Sequence, residues 1–530
     1  MTRNIDRIRM YTVALTLALC MVSHATVRNV ILVVGDGMGV PQIGLLLQYA
    51  RYASNSLMSA RTTAFEAMAA AGEQALVLVE PANGLVVDSS SSATQMGSGR
   101  PSWPQMLGVD ADGKPAESVL AKARARGKAT GLVSDTRITH ATPASFVAHV
   151  PHRGAENDIA RAIAHTGADV MFSGGLPYFL PAGVSNTASA AYAEAHRRVG
   201  AALPLASARQ DDCDVLSEAA SNGYSVIFTR EQLLRAQNGK TLGLFGAWNM
   251  PDGIAEWHMK ADPQRTMPTL REMAVRAIEL LDGNPTGFFL MVEAGQIDWA
   301  SHQNDAGLLL YEMLRYDETL RAICAWAEGR TDTVVITTAD HETGGFAFSP
   351  TGYNAPPERP FPGRIFTNST YTGGGSTTPF STLDKLAQQR KSLDGMFGEF
   401  CGLPVETQTL AALRAIVNAN CAFPIEDADD VGLLASVLEL QGAAQAHLKK
   451  LAPRVDNWSK LPVGDDARRM MGLLRQIVAR KQHTFWAGGS HVHTPVPLAA
   501  IGPRDAIARF RGVMHMTDVG NALIALCAGE

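Results

Sequence analysis

The chain has 530 residues, 46% of them hydrophobic and 18% charged, which fits a large folded core and excludes a disordered or coiled-coil protein. Its net charge of -5 argues against a dedicated nucleic-acid binder, which would carry a basic face. The six cysteines include no CxxC pair, so a thiolate zinc site is not expected.

The N-terminus reads as a secretory signal. Arg3, Arg7 and Arg9 precede an apolar stretch from Tyr11 to Val22 that is too short to span a bilayer. Ser23-His24-Ala25 resembles a small-x-small cleavage site. Residues 1–25 are therefore expected to be removed, leaving no transmembrane segment and a periplasmic or secreted mature chain. Cys20 leaves with the signal. Of the five that remain, Cys401 and Cys421 flank one short segment and are the candidates to pair.

Short apolar runs then recur along the chain. They are Asn29 to Val34, Ala75 to Val79, Ala129 to Val133, Asp169 to Phe172, Tyr224 to Phe228, Phe288 to Val292 and Thr333 to Thr338. Continuous runs of this length suit strands buried on both faces of a mostly parallel sheet. Helical patterns lie between them. After Pro268, for example, Leu270, Met273, Ala274, Ala277 and Leu280 fall on one face. The alternation predicts an α/β fold: a three-layer sandwich with a large, mostly parallel central sheet flanked by helices. From about 349 to 486 the character changes to a Pro- and Gly-rich start followed by helix-like segments at Leu410 to Val417 and Ala467 to Lys481. This stretch is expected to be an inserted, cap-like region on a catalytic domain spanning 26–530.

Several runs end in residues that carry chemistry, and open α/β sheets gather ligands at the carboxyl ends of their strands. Asp36 lies between Gly35 and Gly37 after the first run. Asp298 and His302, four apart, share a helix face if a helix opens after Phe288 to Val292. Asp340-His341 closes the last run, and His491 lies near the C-terminus. Carboxylate and imidazole ligands suit divalent cations, and two clustered ions need about six of them. Ser89, beside Asp88 and before a helix-like Ala93-Thr94-Gln95-Met96, reads as a serine at a helix N-terminus, where the dipole favours a phosphate. Taken singly, these patterns also describe a solvated helix pair, a hydrogen-bonded strand end or a serine-rich cap. Together they point to metal-assisted phosphoryl transfer.

Val86 to Thr94 resembles the active-site signature of the alkaline phosphatase family. Val33 to Gly39 is similar to that family's first metal-binding loop. Val292 through His302, Thr338 to Gly345 and His491 to Pro497 are similar to its later metal-binding segments. The matches keep family order from Asp36 to Pro497. The resemblance implies hydrolysis of small-molecule phosphate monoesters through a phosphoserine on Ser89. It implies two zinc ions, one on Asp298, His302 and His491, the other on Asp36, Asp340 and His341. It also implies one magnesium on Asp36, Glu293 and Thr142, an Arg153 that clamps phosphate, and a homodimer.

Magnesium favours an all-oxygen shell, which suits Asp36, Glu293 and Thr142, and the arginine fork fits phosphate bidentately. His140 and Trp299 occupy places near the magnesium that vary within the family. A histidine there gives a weaker anionic shell, so more exchangeable magnesium is expected. His493 stands two residues beyond His491, and the spacing to Val496-Pro497 favours His491 as the ligand. Three other readings compete. A sulfatase would need a C/S-x-P-x-R setting that Ser89 lacks. A diesterase of this superfamily usually carries threonine and lacks the arginine and the magnesium glutamate. A binding module without turnover would lose Ser89 or Arg153.

Overall fold

The computed structural model describes residues 27–349, 359–361, 363–365, 367–371, 378–427, 430–432 and 465–529. The expected signal, 1–25, lies outside the described residues, as does most of the Pro- and Gly-rich stretch after Ser349.

A ten-stranded sheet forms the centre. Its first eight strands are β1 (Asn29–Gly35), β2 (Glu73–Leu78), β3 (Ala129–Arg137), β4 (Val170–Gly174), β5 (Ser225–Ile227), β6 (Thr241–Leu244), β7 (Phe288–Ala294) and β8 (Thr333–Thr338). Val496–Ile501 and Gly512–His515 complete it. Across the sheet the order is Gly512–His515, β2, Val496–Ile501, β8, β1, β7, β3, β4, β6, β5. Neighbours run parallel except at Val496–Ile501, which is antiparallel to both β2 and β8.

All seven apolar runs are strands of this sheet. β1, β7 and β8 are buried along their whole length, as their Val-, Ile-, Leu- and Phe-rich centres require. Three strands have weaker sequence signals. β6 and Gly512–His515 have four residues each, and Val496–Ile501 contains Pro497, which demotes a strand pattern.

Among the helices, Val40–Tyr52, Leu270–Leu281 and Ala306–Ala327 pack as one group, and Ser89–Ser98, Val119–Ala125 and Met516–Ala528 as another. Leu270–Leu281 starts where Thr269 caps it: its hydroxyl accepts from the Glu272 N–H, while the Glu272 carboxylate accepts from the Thr269 N–H. Its buried face includes Leu270, Met273, Ala274 and Ala277, with Ile278 and Leu281 in place of the half-buried Leu280. Among the described residues no helix is long and apolar enough to cross a membrane.

Within 349–486 the described helices are Ser381–Leu386, Leu393–Gly402, Leu410–Asn420 and Asp465–Lys481. Their apolar faces (Leu386, Phe397, Phe400, Val417, Leu474 and Ile477) join the same core as the sheet. The pairing expected of Cys401 and Cys421 does not occur: both are free thiols. Each packs as a small apolar group in this core, and burial pushes both thiols up to about 12.

Candidate active site

The chemically capable residues converge at the edge where the parallel strands end. β1 runs into Asp36, whose turn is closed by the Met38 N–H donating to the Gly35 carbonyl at 3.1 Å. Gly37 has φ +71, and a Cβ there would sit 2.7 Å from the Asp298 Cα, so the approach of these two segments requires glycine. Glu293 lies in β7 with Val34 of β1 on one side and Ser134 of β3 on the other. Asp298 and His302 are one turn apart on the helix Gln296–His302 that follows β7. Asp340 and His341 follow β8. The Asp340 Oδ1 accepts from the N–H groups of Gly37 at 3.1 Å and His341 at 2.9 Å.

His491 arrives by another route. It lies in a two-residue strand paired with Glu342–Thr343, just before the antiparallel Val496–Ile501. Reversed direction puts the beginning of that strand at the edge where its parallel neighbours end. His493, by contrast, is exposed.

Three groups of ligand-type atoms result, each within 4.8 Å: Asp298, His302 and His491; Asp36, Asp340 and His341; and Asp36, His140 and Glu293. In the first, the two histidine Nε2 atoms face each other at 3.2 Å, and the Asp298 Oδ1 is 3.3 Å from His302 Nε2 and 3.7 Å from His491 Nε2. The Nδ1 atoms are engaged on backbone carbonyls, His302 on Gly489 and His491 on Val87, both at 2.8 Å. A carbonyl only accepts, so each Nδ1 carries a proton, and in its neutral form each ring offers its Nε2 lone pair inward. Lone pairs and a carboxylate meeting this closely form a hole for a cation.

In the second group, His341 Nε2 lies 3.4 Å from Asp36 Oδ1, 3.2 Å from Asp340 Oδ2 and 3.1 Å from Ser89 Oγ. In the third, His140 Nδ1 lies 3.8 Å from Glu293 Oε1 and 4.0 Å from Asp36 Oδ2, and Thr142 Oγ1 donates to Asp36 Oδ2 at 3.5 Å. Trp299 packs edge-on against His140, ring centres 5.7 Å apart. Asp36 Oδ1, Asp340 Oδ2 and Glu293 Oε1 are buried without a hydrogen bond among the described residues. A buried polar atom left unpaired costs about 1–3 kcal/mol, more if charged, and these three all face into the groups, so the donor set fits cations.

The electrostatics agree. Burial raises Asp36 well above the carboxylate range, reinforced by Asp340, Asp298 and Glu293. Burial also raises Asp340 to about 7, with Asp298 adding to it, and Glu293 to about 8 against the Ser134 hydrogen bond. These acids repel one another without a positive charge at their centre, and a bound cation reverses that logic. Burial opposes the charge of Asp298, but the hydrogen bond from His302 and positive charge at His302, His491 and His341, the part a bound cation takes once the rings are neutral, hold that carboxyl well below its usual range. Burial holds His341 and His491 below the ordinary imidazole value, in the neutral form that binds metal.

Ser89 opens the helix Ser89–Ser98, whose N-cap is Asp88. The Asp88 carboxylate accepts from the Ser91 N–H at 3.2 Å and from the Arg153 Nη1 at 3.1 Å. Arg153 Nη2 is 3.2 Å from His140 Nε2. Burial works against the Asp88 charge, but Arg153 and the hydrogen bonds from Ser90, Gln105 and Ser91 keep it below the usual range. Arg153 is thereby held beside the serine.

Ser89, Arg153, Asp36, Thr142, Glu293, Asp298, His302, Asp340, His341 and His491 thus lie together, with His140 and Trp299 alongside. Sequence reasoning passes over the layer that supports them. Gln42 accepts from the Gly39 N–H at 3.0 Å and donates to Glu342 and the Thr343 carbonyl, both at 2.9 Å. Ser134 and Thr136 donate to Glu293 Oε2. Gln105 holds Asp88, and Thr343 donates to Asp298 at 2.6 Å. Of these only Gln42 leaves a local trace, as the N3 residue of a Gly39-Val40-Pro41-Gln42 helix start.

The alkaline phosphatase family model matches residues 27–409. Alkaline phosphatase 3 of Bacillus subtilis is 28% identical over 498 residues, covering 93% of this chain and 87% of that protein. Alkaline phosphatase H of Pseudomonas aeruginosa is 32% identical over 360 residues, covering 60% and 70%. The solved Thermus thermophilus alkaline phosphatase aligns with a TM-score of 0.70 at 26% identity, covering 95% of this chain and 93% of that one. A cold-active alkaline phosphatase from a psychrophilic Shewanella shares the fold at a TM-score of 0.68 and 23% identity, covering 94% and 99%. With a family model matching most of its length around this cluster of acceptors, the chain belongs to the alkaline phosphatase family of phosphomonoester hydrolases.

Proposed function

We propose that this protein hydrolyses phosphate monoesters through a phosphoserine on Ser89, with two zinc ions and one magnesium bound by its three acceptor groups. Asp298, His302 and His491 hold one zinc. Asp36, Asp340 and His341 hold the other, and Asp36, Glu293 and Thr142 hold the magnesium, with His140 beside it. The observation that carries this reading is the meeting of His302 Nε2, His491 Nε2 and Asp298 Oδ1 within 3.7 Å of one another next to a serine at a helix N-terminus. Bound there, the cations supply a lowered pKa for the attacking hydroxyl and stabilisation of the leaving oxygen.

The chain's own residues do the rest. Arg153, anchored on Asp88, offers its remaining N–H groups to two phosphate oxygens. The N-terminal end of the Ser89–Ser98 helix favours the same negative charge. Ser89 Oγ gives its proton to solvent and attacks phosphorus, the P–O bond to the alcohol breaks, and the leaving oxygen takes a proton from water. Water then attacks the phosphoserine from the vacated side, the Ser89 Oγ–P bond breaks, and inorganic phosphate departs. The buried walls around Asp36, Glu293 and Asp340 exclude other nucleophiles and hold the acidic ligands in place.

The Arg3, Arg7 and Arg9 cluster followed by an apolar run supports export of the chain to the periplasm or medium, and family membership supports a homodimer.

Hydrolysis of a phosphate monoester and a phosphate diester by the purified protein tests the reading, before and after chelation and again after zinc plus magnesium are restored. Monoesterase activity that returns with metals and exceeds the diesterase rate is expected. Ser89→Ala is expected to lower kcat by at least about a thousandfold while the chain still binds zinc. Dominant diesterase activity, or full activity in Ser89→Ala, would refute it.

A further inference from the structure

Thr343 stands between the two zinc groups and belongs to neither. It is fully buried. Its Oγ1 donates to Asp298 Oδ1 at 2.6 Å and lies 3.2 Å from His341 Nδ1. Asp298 is in the first group and His341 in the second. The hydroxyl is held from several sides. The Thr343 N–H donates to the Gly37 carbonyl at 3.2 Å, its own carbonyl accepts from Gln42 Nε2 at 2.9 Å, and it pairs in register with His491.

A threonine hydroxyl has one proton to give. As a metal ligand Asp298 is a carboxylate and only accepts, so the proton points to Asp298. The contact with His341 must then run the other way, with Nδ1–H donating to the Thr343 oxygen. That leaves His341 Nε2 as a lone pair facing Ser89, Asp340 and Asp36. His302 and His491 reach the same tautomer through carbonyls, which can only accept. The partner of His341 Nδ1 is a hydroxyl, so its tautomer depends on the direction of that hydroxyl, and Asp298 sets that direction.

We propose that Thr343 is a positioning residue that couples the two zinc groups, orienting Asp298 for one ion and fixing the His341 tautomer for the other through a single hydroxyl. The coupling rests on the two-zinc reading of this site. Partners one layer behind metal ligands are typically worth about 10–100-fold in affinity, and this one serves two sites at once.

The test is zinc binding by the full chain, stripped of metal and titrated with zinc in excess magnesium against a chromophoric chelator. The wild type is expected to take two zincs. Thr343→Val, which keeps the shape and loses the hydroxyl, is expected to weaken both sites by about tenfold or more, and Thr343→Ser to restore both. Circular dichroism of the metal-free chains reports folding, and Thr343→Ala takes the place of the valine variant if that variant does not fold. The ring nitrogen shifts of 15N-histidine-labelled, zinc-loaded wild type add a reading independent of any variant: His341 is expected to be protonated at Nδ1. Two zincs bound by the wild type but one site or neither weakened in Thr343→Val overturns the coupling and leaves the two-zinc reading standing. An unprotonated His341 Nδ1 has the same consequence. A wild type that does not bind two zincs overturns both.

Discussion

Gln105 has φ +69, a left-handed conformation that costs a side-chain-bearing residue about 1–2 kcal/mol. The strain is offset by what the residue holds. Its N–H and its side-chain amide both donate to Asp88 at 3.1 Å, and its carbonyl accepts from the Arg153 N–H at 2.8 Å. Asp88 in turn accepts from the Arg153 guanidinium, so Gln105 steadies Arg153 at both its backbone and its side chain. Gln105→Gly relieves the backbone and removes only the side-chain bond. Its unfolding free energy is expected to stay within about 1 kcal/mol of wild type. A hydrogen bond to a charged group is worth about 1.5–3 kcal/mol, so KM for a monoester is expected to rise roughly tenfold, with kcat changing less. Steady-state kinetics beside thermal unfolding checks this, and an unchanged KM would show that Arg153 needs no such support.

The helix Ala306–Ala327 begins at Asp305, and that one carboxylate joins two parts of the molecule. It accepts from the Leu308 N–H at 3.0 Å within its own helix. It also accepts from Gln389 Nε2 at 2.7 and 3.0 Å and from the Leu393 N–H at 2.7 Å, both from the 349–486 stretch. A Cβ on Gly307 would collide with the Gln389 side chain, so the approach is close. Asp305→Ala removes a cap and leaves buried donors unpaired, for a cost of about 2–4 kcal/mol. In a chain this long that corresponds to a fall in Tm of roughly 2–4 °C. Differential scanning calorimetry measures it; a shift under about 1 °C would mean the two parts do not depend on this carboxylate.

Behind the site, one buried arginine draws together acids from β3 and from the helices Gly253–Met259 and Ala306–Ala327. Arg315 is buried with three acids: Asp135 at 2.9 Å, Glu256 at 3.7 Å and Glu312, which it also contacts directly. One positive charge does not balance three negative ones, so protons stay bound. Burial pushes Glu256 up to about 7 and Glu312 up to about 8, with Arg315 opposing both shifts. A carboxyl raised above its unfolded value near 4.3 contributes stability in full below that pH and loses it as pH rises through the folded value. Stability is thus expected to decline from about pH 5 to pH 8. Glu256→Gln, which cannot ionise, should flatten the decline by on the order of 1–3 kcal/mol. Urea unfolding of both zinc-loaded proteins at pH 5 and pH 8 checks this, and parallel pH profiles would rule it out. Chelation acts on the same global balance. Losing ions held at a thousand times their Kd removes about 4 kcal/mol per site, so the Tm of the stripped protein is expected to drop by roughly 10 °C and recover with zinc. An unchanged Tm would mean that the acceptor groups hold no cation.

The apolar runs by themselves determined the seven strands they predict: β1, β3, β4, β7 and β8 are buried on both faces, which requires an apolar run and is a local requirement, whereas β2 and β5, nearer the ends of the sheet, keep exposed positions. The positions of Asp36, Asp298, Asp340 and His341 after such runs were legible for the same reason: a parallel sheet carries its loops at one edge. His491 was readable only through its resemblance to a family segment, since nothing local says that Val496–Ile501 runs antiparallel and delivers its beginning to that edge. Only the tertiary structure decided the supporting layer. Thr343 meets Asp298, Gln105 meets Arg153, Gln389 meets Asp305 and Asp135 meets Arg315. Most of these partners are far apart in sequence, and no periodicity encodes which buried donor will find which acceptor. Cys401 and Cys421 make the same point, because proximity in the chain suggested a bond and packing made them two separate core residues. Burial of a polar group is settled by the three-dimensional supply of partners, and that supply exists only after the chain has folded.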